Sequence, residues 1–247
     1  VAAPASERDR LLSTAAPIIN NSAIIYSTGE AIEGEYVQFR LLYTGRLLGA
    51  SRNDTRAALK HEIRREFHPQ LRRLWETNAS LAHFARSYLH RWLENHPEDK
   101  ITFNGSSEQR VYFGLRHLAE KWSLAGRGFI PLVTEDLCFR CSLDILFLRP
   151  EESGMVIRGG DLDNRLKTLF DALRLPKNAD EMGGMQACDD PDATYCLLED
   201  DRLISEVRVN ADQLLLLPHQ TEINANDVFL VIDVKMQPQP TWSAYFA

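Results

Sequence analysis

The sequence contains no run of eighteen or more apolar residues, so it offers no candidate for a membrane-spanning helix. Its start lacks the basic-then-apolar pattern of a secretory signal. A soluble cytoplasmic protein is the expectation, with no membrane partner. Cysteine is scarce: the spacing of Cys138, Cys141, Cys188 and Cys196 matches no standard zinc pattern, and buried free thiols are expected. No His-Glu-x-x-His stretch is present, which removes support for a zinc hydrolase. Gly159-Gly160 is not followed by the lysine and hydroxyl residue of a nucleotide-phosphate loop. An excess of basic residues is also missing. The 247 residues hold 28 Lys and Arg against 35 Asp and Glu, a net charge of −7, whereas a nucleic-acid partner calls for a basic footprint.

The distribution of charge qualifies that last point. Residues 40–127 carry 16 Lys and Arg against 9 Asp and Glu, a net of +7, while residues 1–39 carry −3 and 128–247 carry −11. A basic segment beside an acidic half is what separate phosphate-gripping and metal-holding regions produce. In the basic segment, Asn53-Asp54-Thr55 offers a helix start, and Arg56, Lys60, Arg64 and Arg65 recur towards one side. These four are candidate phosphate contacts. Ala57, Leu59, Ile63 and Phe67 supply apolar contacts, and Pro69 is expected to break or restart the helix. An aromatic-rich helix through Leu81, Phe84, Tyr88, Leu89 and Trp92 suits a core better than base stacking.

What the sequence does hold is a divided set of carboxylates. Arg158-Gly159-Gly160-Asp161-Leu162-Asp163-Asn164-Arg165-Leu166-Lys167 is answered about forty residues later by Glu199-Asp200-Asp201. Two carboxylates one residue apart at a glycine-to-helix junction can converge on one hard cation, and a third from another element completes a cage. Magnesium takes oxygen ligands and keeps several waters, so two or three aspartates suffice and leave positions for a phosphate and an attacking water. Leu162, Leu166, Leu169, Phe170 and Leu173 form the apolar stripe of a helix that ends near Pro176. Its polar face carries Asp163, Lys167 and Asp171. Helical side chains lean towards the amino terminus, so the Lys167 ammonium can reach the level of Asp163. By composition alone a plainer reading of the same residues comes first: acidic side chains favour the first turn of any helix, and Asp163 with Lys167 is also an ordinary surface pair. A calcium loop counted from Asp161 fails, because Leu166 and Ala172 stand where glycine and glutamate are required.

Asp161-Leu162-Asp163-Asn164, then Lys167, then Phe170-Asp171-Ala172-Leu173, then Glu199-Asp200-Asp201 before Leu203-Ile204, resembles the signature of the RusA-like Holliday-junction resolvases. The resemblance covers about residues 137–236, less than half of the chain. It implies an α+β fold with a mixed sheet packed against helices and a magnesium-dependent endodeoxyribonuclease acting as a homodimer on branched DNA. By matching position it implies Asp161, Asp163 and Asp201 as metal ligands and Asp200 as a weaker fourth carboxylate. Lys167 becomes a phosphate contact or acid. The metal would be Mg2+, with Mn2+ able to replace it; Arg158 and Arg165 join the candidate nucleic-acid contacts.

Strands are expected at 36–43, 138–148, 203–209 and 228–234, the last nearly all apolar and therefore central. These would form one domain over 35–247, with residues 1–34 peripheral and a helical basic insertion at about 53–127. Three departures from the family stand out. They are the long amino-terminal region, the acidic overall balance, and an acidic loop at about 176–198, with Asp180, Glu181, Asp189, Asp190 and Asp192, whose sign opposes DNA and which suits a protein partner, a cover over the site or a solvated polar excursion. Two functions follow: a metal-dependent nuclease for branched or structured DNA, or a non-catalytic protein of RusA-like fold that binds a protein or nucleic acid.

Overall fold

The computed structural model describes residues 18–20, 23–25, 37–49, 55–83, 85–86, 93, 107–135, 139–150, 161–182, 193–215 and 223–238. The fold is α+β, as expected, with mixed sheets of four and three strands. Strands β1 (Ile18–Asn20) and β2 (Ala23–Ile25) form a separate antiparallel pair within the segment expected to be peripheral. Among the described residues no helix is long and apolar enough to cross a membrane.

The four expected strands join into one sheet. Strand β3 (Gln38–Arg46) pairs antiparallel with β9 (Asp227–Pro238), β9 antiparallel with β6 (Phe139–Arg149), and β6 parallel with β8 (Ile204–Gln213), in the order β3-β9-β6-β8. The apolar run of β9 is interior, as its composition demands. Leu41 and Tyr43 of β3, Cys141, Leu143, Ile145 and Phe147 of β6, and Val228, Leu230, Ile232, Val234 and Met236 of β9 are buried in the main core. The alternate residues of β6 and β9 form an opposite face that is only partly covered.

Helix α1 (Thr55–Thr77) lies between β3 and β6 in the chain and is built into the core rather than appended to it. Leu59, Ile63, Phe67, Leu71 and Trp75, one per four residues, are all buried. Pro69 does not break the helix, contrary to the sequence expectation. It lies on the exposed face, as does Arg65, whose carbonyl loses the amide that proline lacks; water can satisfy that carbonyl while the buried stripe holds the helix on course. In the expected aromatic helix, residues 79–83, 85–86 and 93 are helical and Leu81 and Ala85 are buried; Phe84, Tyr88, Leu89 and Trp92 fall outside the described residues.

The second sheet was not anticipated. After helix α2 (Ser107–Lys121), strands β4 (Ser123–Leu124) and β5 (Arg127–Val133) form a hairpin, and β5 pairs parallel with β7 (Thr194–Leu198). Pro131 inside β5 argues against a strand. It is tolerated because β4 pairs only as far as Gly128, so no β4 partner requires the missing amide. The expected loop at 176–198 is likewise structured at both ends. A 3₁₀ turn occupies Ala179–Met182, and Thr194-Tyr195-Cys196-Leu197-Leu198 is fully buried as β7. Asp189, Asp190 and Asp192 lie outside the described residues.

Candidate metal and phosphate site

Helix α3 (Asp161–Leu173) opens at Asp161, the first carboxylate of the motif. Its apolar stripe is set into the core: Leu169, Ala172 and Leu173 are buried, with Leu162, Leu166 and Phe170 packed against the same cluster. That burial fixes the rotation of the helix, leaving Asp163 and Lys167 exposed on its outer side. No ion pair among the described residues joins them. The side chains of Asp161 and Arg158 are not among those described.

The second half of the motif follows β7. Glu199 is taken up structurally: its amide donates to the Val133 carbonyl and its carboxylate accepts from the Glu135 amide at 2.9 Å. Asp200 caps the 3₁₀ turn Asp201–Leu203, accepting from the Arg202 amide at 3.0 Å. Lys177 Nζ lies 3.7 Å from its other oxygen. Desolvation pushes the Asp200 carboxyl up, but the Arg202 amide, a hydrogen bond shared with Asp201, and the charges of Lys177 and Arg202 outweigh it and hold Asp200 below its ordinary value. Asp201 is half-buried at the start of the turn.

Helix α3 packs against the Asp201–Leu203 turn, so the two halves of the motif lie on neighbouring elements; the carboxylates of Asp163, Asp200 and Asp201 are not gathered into one metal-holding group. The donors are all oxygens, and two of them, on Asp200 and Asp201, are close enough to share a hydrogen bond. Such a set suits a hard divalent cation rather than zinc or copper. Among the described residues no group of three or more His, Cys, Asp or Glu side chains stands ready to hold a metal ion.

The candidate phosphate contacts separate into two kinds. Arg65 is exposed and Arg56 half-buried on α1. Lys60 instead bonds Asp171 at 2.7 Å. Arg64, only 1% exposed, donates through Nη2 to the Asp171 carbonyl at 2.9 Å and through Nε to the Arg174 carbonyl at 3.2 Å. Arg165, 3% exposed, is turned inward on α3. Lys60 and Arg64 therefore tie α1 to α3, and burial removes Arg64 and Arg165 from reach of a backbone phosphate. The sequence reading missed this role because α1 and α3 are about a hundred residues apart, and a basic stripe looks the same whether it faces solvent or a carboxylate.

Asp171 is the centre of that junction. Its carboxylate also accepts from Arg174 Nη2 at 2.9 Å, and Arg174 Nη1 bonds Glu181 at 2.9 Å. Burial alone would push Glu181 up; hydrogen bonds from Arg174 and the Lys177 amide, with the charges of Arg174 and Lys60, instead hold it below the usual glutamate range. The acidic 3₁₀ turn is thereby pinned to the end of the site helix.

Comparison of the chain with protein-family models, curated proteins and solved structures gives no match.

Proposed function

We propose that this protein is a divalent-metal-dependent endonuclease acting on branched or structured DNA, of the kind that its RusA-like motif implies. One observation carries the reading: α3, which begins at Asp161 and exposes Asp163 and Lys167, lies against the turn that begins at Asp201. Asp161, Asp163 and Asp201 are the proposed ligands for Mg2+ or Mn2+, with Asp200 beside them. A cation bound there would lower the pKa of a water and polarise a phosphodiester. Lys167, one turn beyond Asp163 on the exposed side, would meet the scissile phosphate and stabilise charge developing on it or on the leaving oxygen. Arg56 and Arg65 remain as backbone contacts. The buried free thiols Cys141 and Cys196 suit the reducing cytoplasm.

The test is cleavage of labelled four-way junction, flap, duplex and single-stranded DNA with Mg2+, Mn2+ or chelator, using the native chain and Asp163→Asn. Metal-dependent cutting that disappears in the variant supports the nuclease and identifies its preferred substrate. A second reading, a non-catalytic protein of the same fold, is favoured by one observation: Lys60 and Arg64 are spent on internal contacts, which thins the basic footprint. Absence of cutting on every substrate at high enzyme concentration selects it.

A further inference from the structure

The buried junction between helices α1 and α3 is out of balance in charge. Lys60, Arg64 and Arg174 bring three cations to it, whereas Asp171 and Glu181 bring two carboxylates. Lys60 and Arg174 take both carboxylates: Asp171 is held by the two of them and Glu181 by Arg174. Arg64 bonds only the carbonyls of Asp171 and Arg174, which carry at most the partial charge of a helix end. Its Nη1 is buried and has no hydrogen-bond partner among the described residues. A buried cation without a counter-charge is costly, so an anion is expected on that side of Arg64.

Cys196 is the group placed to supply it. Arg174, whose carbonyl Arg64 bonds, forms a bridge with Leu198 at the end of β7. His68, one turn after Arg64 on α1, accepts from the Tyr195 amide at 3.1 Å. Arg64 therefore lies along the stretch of β7 that contains Cys196. The thiol packs with Phe129 and Met182 and against Leu175, so it faces the segment that follows α3. As a thiol it donates to the Thr194 carbonyl at 3.9 Å, a long contact. Burial pushes the Arg64 guanidinium down, and the charge of Cys196 is the largest effect that opposes this, ahead of Glu181 and Asp171.

We propose that Cys196 is a modification site: its thiolate pairs with Arg64, and small hydroperoxides oxidise it when the Ala179–Met182 turn lifts away. The turn is a thin cover. Ala179 and Asp180 are exposed, Glu181 is half-buried and Met182 is its one buried residue, so local opening uncovers Cys196 while α1 and β7 stay packed. A thiolate beside a guanidinium is the nucleophilic form of cysteine and the form that peroxide oxidises. The sulfur bonds to one peroxide oxygen as the O–O bond breaks. The hydroxide released takes the sulfenic proton, so the products are Cys196 sulfenate and water; sulfur loses two electrons and the peroxide gains them. The charge facing Arg64 is unchanged, and Nη1 acquires an oxygen acceptor. Cys141 is the contrast within the same chain: it is fully buried in β6, and burial pushes its thiol up to about 12. This argument does not rest on the nuclease reading, and its readouts are independent of activity.

The experiment is the rate of iodoacetamide labelling at each cysteine of the full chain, read peptide by peptide by mass spectrometry between about pH 7 and about pH 8.5. An ordinary thiol reacts about fifteenfold faster at the upper end of that interval. Cys196 of the native chain should change less than about twofold, because its thiolate is already formed. The titratable groups around it are Lys60, Arg64 and His68 of α1, Asp171 and Arg174 of α3 and its end, and Glu181 of the turn. Only Arg64 should matter to the profile: Arg64→Gln should restore the steep rise, and Arg64→Lys should keep the profile flat. Met182→Ala should raise the Cys196 rate about tenfold at every pH by loosening the cover, with the profile still flat. A second arm treats the native chain with hydrogen peroxide and dimedone, which should label Cys196 and leave Cys141 unlabelled. A steep native profile overturns the proposal, as does an Arg64→Gln profile as flat as the native one. So does a Met182→Ala variant no faster than the native chain, or the absence of a dimedone adduct at Cys196. If Arg64→Gln misfolds, the native profile and Arg64→Lys still decide.

Discussion

Lys60 Nζ stands 2.7 Å from Asp171 Oδ2, with both side chains largely buried, and this pair ties helix α1 to the helix that bears the candidate site. Arg174 holds the other oxygen of the same carboxylate at 2.9 Å. A carboxylate shared by two cations across an interface between elements is costly to remove, because its removal leaves Lys60 desolvated without its partner and takes one of the two carboxylates that hold Arg174. Asp171→Ala should therefore lower unfolding free energy by roughly 3 kcal/mol, the lower part of the range for breaking a buried pair. Urea denaturation measures it, and a loss below about 1 kcal/mol would show the junction to be loose.

Lys60 and Arg65 differ in the same way despite their kinship in sequence. On the proposed function, Lys60→Gln should lower stability while leaving the affinity of the folded protein for DNA unchanged. Arg65→Gln should do the reverse, with stability altered by no more than about 0.5 kcal/mol and binding weakened evenly across DNA sequences. Salt titrations of binding check this: the slope should become shallower only for the Arg65 variant.

Much of the framework was legible because it depends on local pattern. The apolar run of β9 announced a central strand, and the stripe Leu162–Leu173 fixed which side of α3 carries Asp163 and Lys167. Where expectation failed, a distant partner decided. Thr194–Leu198 is a five-residue buried strand, yet its acidic neighbours made it read as loop; only β5, more than sixty residues earlier, gives it a ladder. Pro131 concealed β5 in turn. In the basic helix, charge alone did not distinguish Arg64, whose bonds to α3 are buried, from Arg65, which faces water one residue later.

Asp200 combines two duties that substitution can separate. Its carboxylate caps the Asp201–Leu203 turn, and its charge lies beside Asp201. Asparagine preserves a capping oxygen but removes the charge. Asp200→Asn should thus retain stability, whereas Asp200→Ala should cost about 1 kcal/mol. On the proposed function, Asp200→Asn should lower single-turnover cleavage about 10- to 100-fold, as loss of a supporting partner at a metal site does, while Asp201→Asn should abolish it. Equal effects of the two asparagine variants would place Asp200 among the principal ligands.

Glu181 should contribute to acid lability. Its folded-state pKa lies below the unfolded one, so its stabilisation is complete above the ordinary glutamate value of about 4.3 and is lost as the pH falls through the lower folded value. Asp200 and Asp233, whose carboxyls are also held down, contribute in the same direction. Glu181→Gln should make the decline of the urea midpoint below about pH 5 shallower without removing it. An unchanged slope would mean that the Arg174 contact adds nothing in solution.

Gly114, on α2, provides a steric test of the packing. A methyl group there would run into the backbone carbonyl oxygen of Ala85, a residue with no exposed surface. In a helix glycine is normally worse than alanine by about 0.5–1 kcal/mol, so Gly114→Ala would stabilise the protein if the site were open. The obstacle here is backbone rather than a side chain that can rotate away, so α2 and the segment around Ala85 must separate. Overpacking of that kind costs about 1–3 kcal/mol and outweighs the gain in helix propensity. Gly114→Ala should lower stability by about 2 kcal/mol in urea denaturation; a variant as stable as the native chain would show that the two segments do not meet at that point.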